Sequence, residues 1–230
     1  MSISWSYSSI SVFKQCPKKY FHLRIAKDVV DESSIAATYG KEFHTAAELY
    51  VKDNVKLPSK FNFALPKLKE IEKIKGIKLC EIKLGIKKEK GKYTPCNFLD
   101  KNVWWRGIAD LIVINKDKNE AYLIDYKTSK NSKYADLKQL DLLAGALFLH
   151  CPKLKTIKSG LLFVMSNEFI KKKHTIDKKY EYINTMQKEL LKLDSAMKTN
   201  TWNPISNPLC RFCPVMKCAH NRKEIPFKFT

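Results

Sequence analysis

The chain has 230 residues, 44% of them hydrophobic, and carries 43 lysines and arginines against 23 aspartates and glutamates, a formal net charge of +20. That length buries one sizeable core, and no run of about 20 apolar residues is present to span a bilayer. The cationic excess is spread along the sequence, so a phosphate-rich partner is expected, with part of the excess put down to a composition rich in Lys, Asn and Ile. The opening stretch MSISWSYSSISVF has no charged segment ahead of its apolar residues. A secretion signal needs one, and a cytoplasmic location is therefore expected. The seven cysteines are then expected as reduced thiols or metal ligands.

In chain order, Tyr7, Ile10, Phe13, Tyr20, Phe21 and Leu23 surround Cys16-Pro17 and predict two short helices, the second opened by Pro17. Gly40 to Val51 predicts an amphipathic helix with Phe43, Ala46, Ala47 and Tyr50 on one stripe and His44 beside it. A lone histidine so placed is ordinarily a core residue, and Glu48 one turn later is ordinarily a solvated charge. Phe63 to Ile74 predicts a helix, and Lys78 to Ile86 a strand with Glu81 at its middle as a further acid. Val103 to Asn115 and Ala121 to Lys127 are rich in β-branched and apolar residues, and Lys116, Asp117, Lys118 and Asn119 join them as a hairpin. Beyond it the pattern predicts a helix over Ala135 to His150, a buried strand over Gly160 to Met165, an edge strand over Glu168 to Thr175 and one long helix over Asp177 to Thr199. Lys171, Lys172 and Lys173 suit either phosphate contact or a solvated face. There is no internal repeat and no P-loop glycine pattern.

The hairpin carries the most chemistry. Residues two apart in a strand share a face, so Asp125 and Lys127 lie together with Tyr126 turned away, and the hairpin brings Asp110 alongside Asp125. Two carboxylates are hard oxygen ligands for Mg²⁺ or Mn²⁺, and a neighbouring ammonium suits phosphodiester hydrolysis. On its own an Asp-x-Lys triplet is common and reads as an ordinary solvated hairpin.

A second constellation is made of thiols. Cys210, Cys213 and Cys218 form a C-x₂-C-x₄-C cluster, and Cys16 stands alone near the other end. Such a four-ligand set suits an iron–sulfur cluster or structural zinc, and spacing does not separate them. His220 is a spare ligand if zinc is held. Cys80, Cys96 and Cys151 are expected as small core residues.

These residues together resemble the PD-(D/E)XK nuclease superfamily, and within it the RecB-like exonucleases that include CRISPR-adaptation and phage members. The matching segments are Gly107-Ile108-Ala109-Asp110 and Leu123-Ile124-Asp125-Tyr126-Lys127-Thr128. Gly40-Lys41-Glu42-Phe43-His44 looks like the family's G-x-x-x-H helix, and Cys16-Pro17-Lys18-Lys19-Tyr20-Phe21 like its CP-x-x-Y-F segment. Ala109 stands where the superfamily's name has proline. Leu143 stands where the Q-x-x-x-Y motif that starts at Gln139 commonly has tyrosine.

The resemblance covers Tyr7 to Cys218. It implies an α/β fold, a central mixed sheet flanked by helices, in one nuclease domain. The restriction-endonuclease-like core would span about residues 36–200, and a helical lobe from residues 1–30 and 200–230 would be stapled by a 4Fe-4S cluster on Cys16, Cys210, Cys213 and Cys218. It further implies His44, Asp110, Asp125 and the backbone carbonyl of Tyr126 as ligands of Mg²⁺ or Mn²⁺. Lys127 would position the attacking water and offset charge, with Gln139 in support.

The implied activity is that of a metal-dependent DNA exonuclease acting on single strands or duplex ends. Recombination, repair or DNA processing is the implied setting, with recombination or CRISPR-adaptation proteins as partners, and the host cytoplasm as the location if the gene is phage-borne. Two other classes stay open: a DNA-binding or assembly subunit with little nuclease activity, and a zinc-binding nucleic-acid-binding protein.

Overall fold

The computed structural model describes residues 4–31, 34–133 and 135–221, so residues 1–3 and 222–230 of the expected terminal lobe lie outside the described residues. Its elements run in the order α1 (Tyr7–Gln15), α2 (Pro17–Tyr20), a π-helical turn (Phe21–Ala26), α3 (Ile35–Asp53), a 3₁₀ turn (Ser59–Ala64) and α4 (Leu65–Glu72). There follow β1 (Ile77–Glu89), β2 (Lys92–Cys96), β3 (Trp105–Asn115), β4 (Glu120–Lys127), α5 (Lys138–His150), β5 (Thr156–Phe163) and β6 (Glu168–Thr175). A 3₁₀ turn (Ile176–Lys178), α6 (Lys179–Ile183), α7 (Gln187–Thr199) and a last 3₁₀ turn (Pro208–Phe212) complete the order. The chain divides into two compact units, one made of Met1–Ser6 and Ser34–Met186 and the other of Tyr7–Ser33 and Gln187–Thr230.

The first unit is an α/β structure around a six-stranded mixed sheet of order β2-β1-β3-β4-β5-β6. Only β4 and β5 run parallel, and α5 makes the crossover between them. Each of the other neighbouring pairs is antiparallel. Phe43, Ala46, Ala47 and Val51 of α3 bury with Leu68 and Ile71 of α4 against Leu111, Val113, Ile124, Tyr126 and Leu162 of the sheet. On β4, Leu123 and Asp125 alternate with those residues and face the opposite side, where Gln139 of α5 reaches Asp125. Nine consecutive residues of α5, Leu140 to Phe148, are buried. Ser34 caps α3 by accepting the Ala37 N–H at 3.1 Å, and Asn54 ends it in the left-handed region.

Several predicted elements differ from those observed. The Lys90-Gly91 turn, both residues at positive φ, folds back an unpredicted β2 onto β1. The helix predicted over Asp177 to Thr199 is broken at 184–186, because Ile183 and Met186 are both buried. The Asn184 side-chain amide donates to the Tyr180 carbonyl there, competing with the helical ladder. Cys80, Cys96 and Cys151 are half-buried, Cys80 packing against the core.

The second unit is helical. Pro17 opens α2, as its fixed φ and missing N–H favour, and Phe13, Tyr20 and Trp202 build its aromatic centre. Cys16, Cys210, Cys213, Cys218 and His220 line one cavity of this unit.

Packing in the first unit is tight enough to test. A Cβ at Gly107 would sit 2.6 Å from the buried Trp105 ring and 3.2 Å from Leu143, whereas one at Gly160 would first meet the partly exposed Phe169 ring, which can swing away. Gly107→Ala is expected to lower stability in urea unfolding by about 1–3 kcal/mol, and Gly160→Ala by less. The reverse order would contradict the packing described.

Candidate active site

The β3–β4 ladder pairs Leu111 with Ile124 and continues to Asn115 and Glu120, but does not extend past Leu111 toward Trp105. At that point the Tyr126 N–H leaves the ladder and donates to Asp110 Oδ2 at 2.7 Å. The Asp110 side chain is thereby fixed by the sheet's own backbone. Its other oxygen, Oδ1, lies 3.3 Å from His44 Nδ1. Across β1, the register pairs Cys80 with Leu111 and Ile82 with Ala109, leaving Glu81 opposite Asp110. Glu81 is unpaired in the ladder and holds φ at +51°. No residue is inserted, so the left-handed backbone is a local twist rather than a bulge. It leaves the Glu81 carboxylate 4.0 Å from His44 Nδ1.

Ligand atoms of His44, Glu81 and Asp110 lie within 4.8 Å of one another, the one such group of three among the described residues. One imidazole nitrogen and two carboxylates suit a divalent cation such as Mg²⁺ or Mn²⁺. The exposures of 31% for His44, 34% for Glu81 and 10% for Asp110 leave the group open on one side.

Asp125 lies behind it. Gln139 Nε2 donates to Asp125 Oδ1 at 2.6 Å, and Lys127 Nζ donates to Gln139 Oε1 at 2.9 Å. Lys127 Nζ is also 2.6 Å from Asp125 Oδ2. That oxygen is buried, and its contact with the lysine is charge-assisted. A carboxylate oxygen keeps further lone pairs, so it still fits a cation as a ligand. One glutamine thus clamps the acid to the lysine.

Charge is concentrated here. Burial, reinforced by the Asp110 charge, pushes the Asp125 carboxyl up to about 6 although Lys127 pulls it down. Burial and Asp110 also raise Glu81, against the pull of His44. Burial disfavours a protonated His44, but its hydrogen bond to Asp110 and the charges of Asp110, Asp125 and Glu81 prevail, and its pKa rises.

Of the residues singled out in the sequence, His44, Asp110, Asp125, Lys127 and Gln139 are brought together. Tyr126 contributes its N–H, and its ring is buried beside Phe43. Leu143 packs in the core instead of offering a hydroxyl. Glu81, in the sequence a further acid for the site set against an ordinary outward-facing strand glutamate, lies in the group that could hold a cation, and nothing in the sequence announces its backbone twist. Glu48 pairs with Lys52 at 3.8 Å on α3.

The model of the PD-(D/E)XK nuclease superfamily matches residues 4–218. The chain belongs to this superfamily. A search of curated proteins returned no match. Among solved structures the nuclease is similar to SSO0001, at 15% identity and a TM-score of 0.48, over 95% of this chain and 87% of that one. It is also similar to a protein from Eubacterium rectale whose name includes the word exonuclease. There the identity is 13% and the TM-score 0.47, over 98% of this chain and 89% of that one. No helix among the described residues is long and apolar enough to cross a membrane.

The raised Asp125 carboxyl has a measurable consequence. A carboxyl whose folded pKa exceeds its unfolded value contributes stability that is complete below about pH 4 and lost as pH rises through about 6. In metal-free protein, Asp125→Asn should be more stable than the parent at pH 7.5 by about 1–3 kcal/mol. That advantage should vanish by pH 4.5 in paired thermal melts. A variant less stable at both pH values would contradict the burial argument.

Proposed function

We propose that this nuclease is a Mg²⁺- or Mn²⁺-dependent DNA exonuclease of the RecB-like type, working in the cytoplasm in DNA recombination, repair or processing. The observation that carries the reading is the Gln139 clamp joining Asp125 to Lys127 next to the open His44, Glu81 and Asp110 group. When bound, the cation would polarise a phosphate oxygen and acidify an attacking water. His44, Glu81, Asp110 and Asp125 would hold it, with the Tyr126 carbonyl as the ligand carried over from the family pattern. Lys127, its ammonium fixed by Gln139 and one-third exposed, would orient the water and offset charge on the phosphate. The net charge of +20 supports a polyanionic substrate.

In the same reading the second unit holds a 4Fe-4S cluster on Cys16, Cys210, Cys213 and Cys218, and the two units serve one nuclease. The four thiols line one cavity of that unit, and this supports a shared centre. The Ile205 N–H points at Cys16 Sγ at 3.5 Å and the Asn207 N–H at Cys210 Sγ at 3.4 Å. Amide donors of this kind temper the charge of cluster thiolates.

Asp125→Ala and Lys127→Ala should each lower cleavage of end-labelled DNA in Mn²⁺ by at least about a hundredfold while DNA binding persists. A variant cutting at the parent rate would remove that residue from the site, and release of internal fragments instead of terminal nucleotides would replace exonuclease with endonuclease.

Cys16→Ser and Cys213→Ser, purified without oxygen, should each lose iron, sulfide and brown absorbance. Each should also lose on the order of several kcal/mol of stability, with Cys80→Ser unaffected. Zinc without iron in the parent protein would overturn the cluster. Full metal retention in Cys16→Ser would overturn its place among the ligands.

A further inference from the structure

The metal-ligating group continues into an open strip of β1 and β3. A Cβ at Gly107 would point at Leu143 of α5, so its neighbours Arg106 and Ile108 point away from α5, to the side from which α3 presents His44. At about 3.4 Å per residue, Ile108 stands about 7 Å and Arg106 about 14 Å along β3 from Asp110. Lys83 of β1 is the direct cross-strand partner of Ile108 and shares its face. Phe98, in the connection between β2 and β3, lies over this strip with the Arg106 guanidinium 5.4 Å and the Lys83 ammonium 6.0 Å from its ring centroid.

The strip sets exposed apolar side chains beside its cations: Ile108 is 38% exposed and Leu99, next to the half-buried Phe98, is 78% exposed. Arg106 is set by the structure, its Nε donating to Ser4 Oγ at 3.0 Å and its N–H to the Trp5 carbonyl at 2.9 Å. The nearby acid, Asp100, is neutralised by Lys87 at 2.7 Å.

From this juxtaposition we infer that Phe98, Ile108, Lys83 and Arg106 form a subsite for unpaired nucleotides leading to the metal-ligating group. The inference rests on the nuclease reading above and specifies its substrate as a single strand or frayed end. An aromatic ring bracketed by cations offers a stacking surface for a base and countercharges for its flanking phosphates. A base inside a duplex is already stacked on its neighbours and cannot use that ring.

The test is fluorescence anisotropy with a short labelled oligonucleotide, single-stranded and as a blunt duplex, in EDTA at fixed salt. Binding is then read without cleavage. Phe98→Ala should weaken single-strand binding by roughly tenfold and duplex binding by less than about twofold, and Phe98→Tyr, which keeps the ring, should restore it. Lys83→Gln, an exposed change, should reduce the salt dependence of single-strand binding by about one phosphate. Equal losses on both substrates, or unchanged single-strand affinity in Phe98→Ala together with an unchanged salt slope in Lys83→Gln, would overturn the subsite. Parent protein that binds in this pattern yet never cleaves would remove the nuclease reading and keep the subsite. Cleavage with affinities unmoved would do the opposite.

Discussion

The carboxylate of Asp110 is held from two directions, and the site depends on it. One oxygen replaces a ladder carbonyl as acceptor for the Tyr126 N–H at 2.7 Å, and the other faces His44 at 3.3 Å. Satisfying a backbone donor with a side chain ends the β3–β4 pairing at Leu111 and Ile124, and opens the sheet where the acids gather. On the other side of β3, Glu81 adopts a left-handed backbone that costs on the order of 1–3 kcal/mol. The ladder on both sides of it keeps the same register and over-determines the twist. Rigid sheet therefore surrounds a point of strain, which places acids more accurately than a loop does.

A chain with a net charge of +20 gathers Glu81, Asp110 and Asp125 from three neighbouring strands. The cost is visible in the direction of their titration. Burial and mutual repulsion raise Asp125 and Glu81, and the same negative field raises His44. Lys127 answers only part of that field. Such a negative field would favour a divalent cation over a neutral ligand. The network of buried Asp141 and His174 with the partly exposed Lys172 contrasts with it: there hydrogen bonds from His174 and Lys172 outweigh the burial of Asp141, and its pKa falls. Paired charge there holds α5 in place, whereas incompletely paired charge at the site leaves room for a ligand.

Much of this was legible in the sequence where a period was at work. The hairpin, the alternation of Asp125 and Lys127 against Tyr126, and the stripe of α3 follow from spacings of two and of three to four residues. His44 was legible only through its family resemblance, since one histidine beside an apolar stripe has no pattern of its own. Glu81 was legible only as a further acid within a strand, because its placement depends on a φ of +51° that no residue type signals. The second strand of the β1–β2 hairpin was hidden by its five-residue length and by Pro95, which reads against a strand. The break between α6 and α7 depended on two buried residues, Ile183 and Met186, whose partners come from elsewhere in the fold. The convergence of Cys16 with the C-terminal cysteines on one cavity is a tertiary fact that spacing alone could not carry.

The central claim is that His44, Glu81 and Asp110 hold one divalent cation with Asp125 beside them. Anomalous diffraction at the manganese edge, from crystals grown with Mn²⁺, tests this most directly. The account predicts a manganese peak within about 2.0–2.4 Å of His44 Nδ1 and of oxygens from Glu81 and Asp110. A peak ligated elsewhere, or none at these residues while Mn²⁺ supports cleavage in solution, would contradict it.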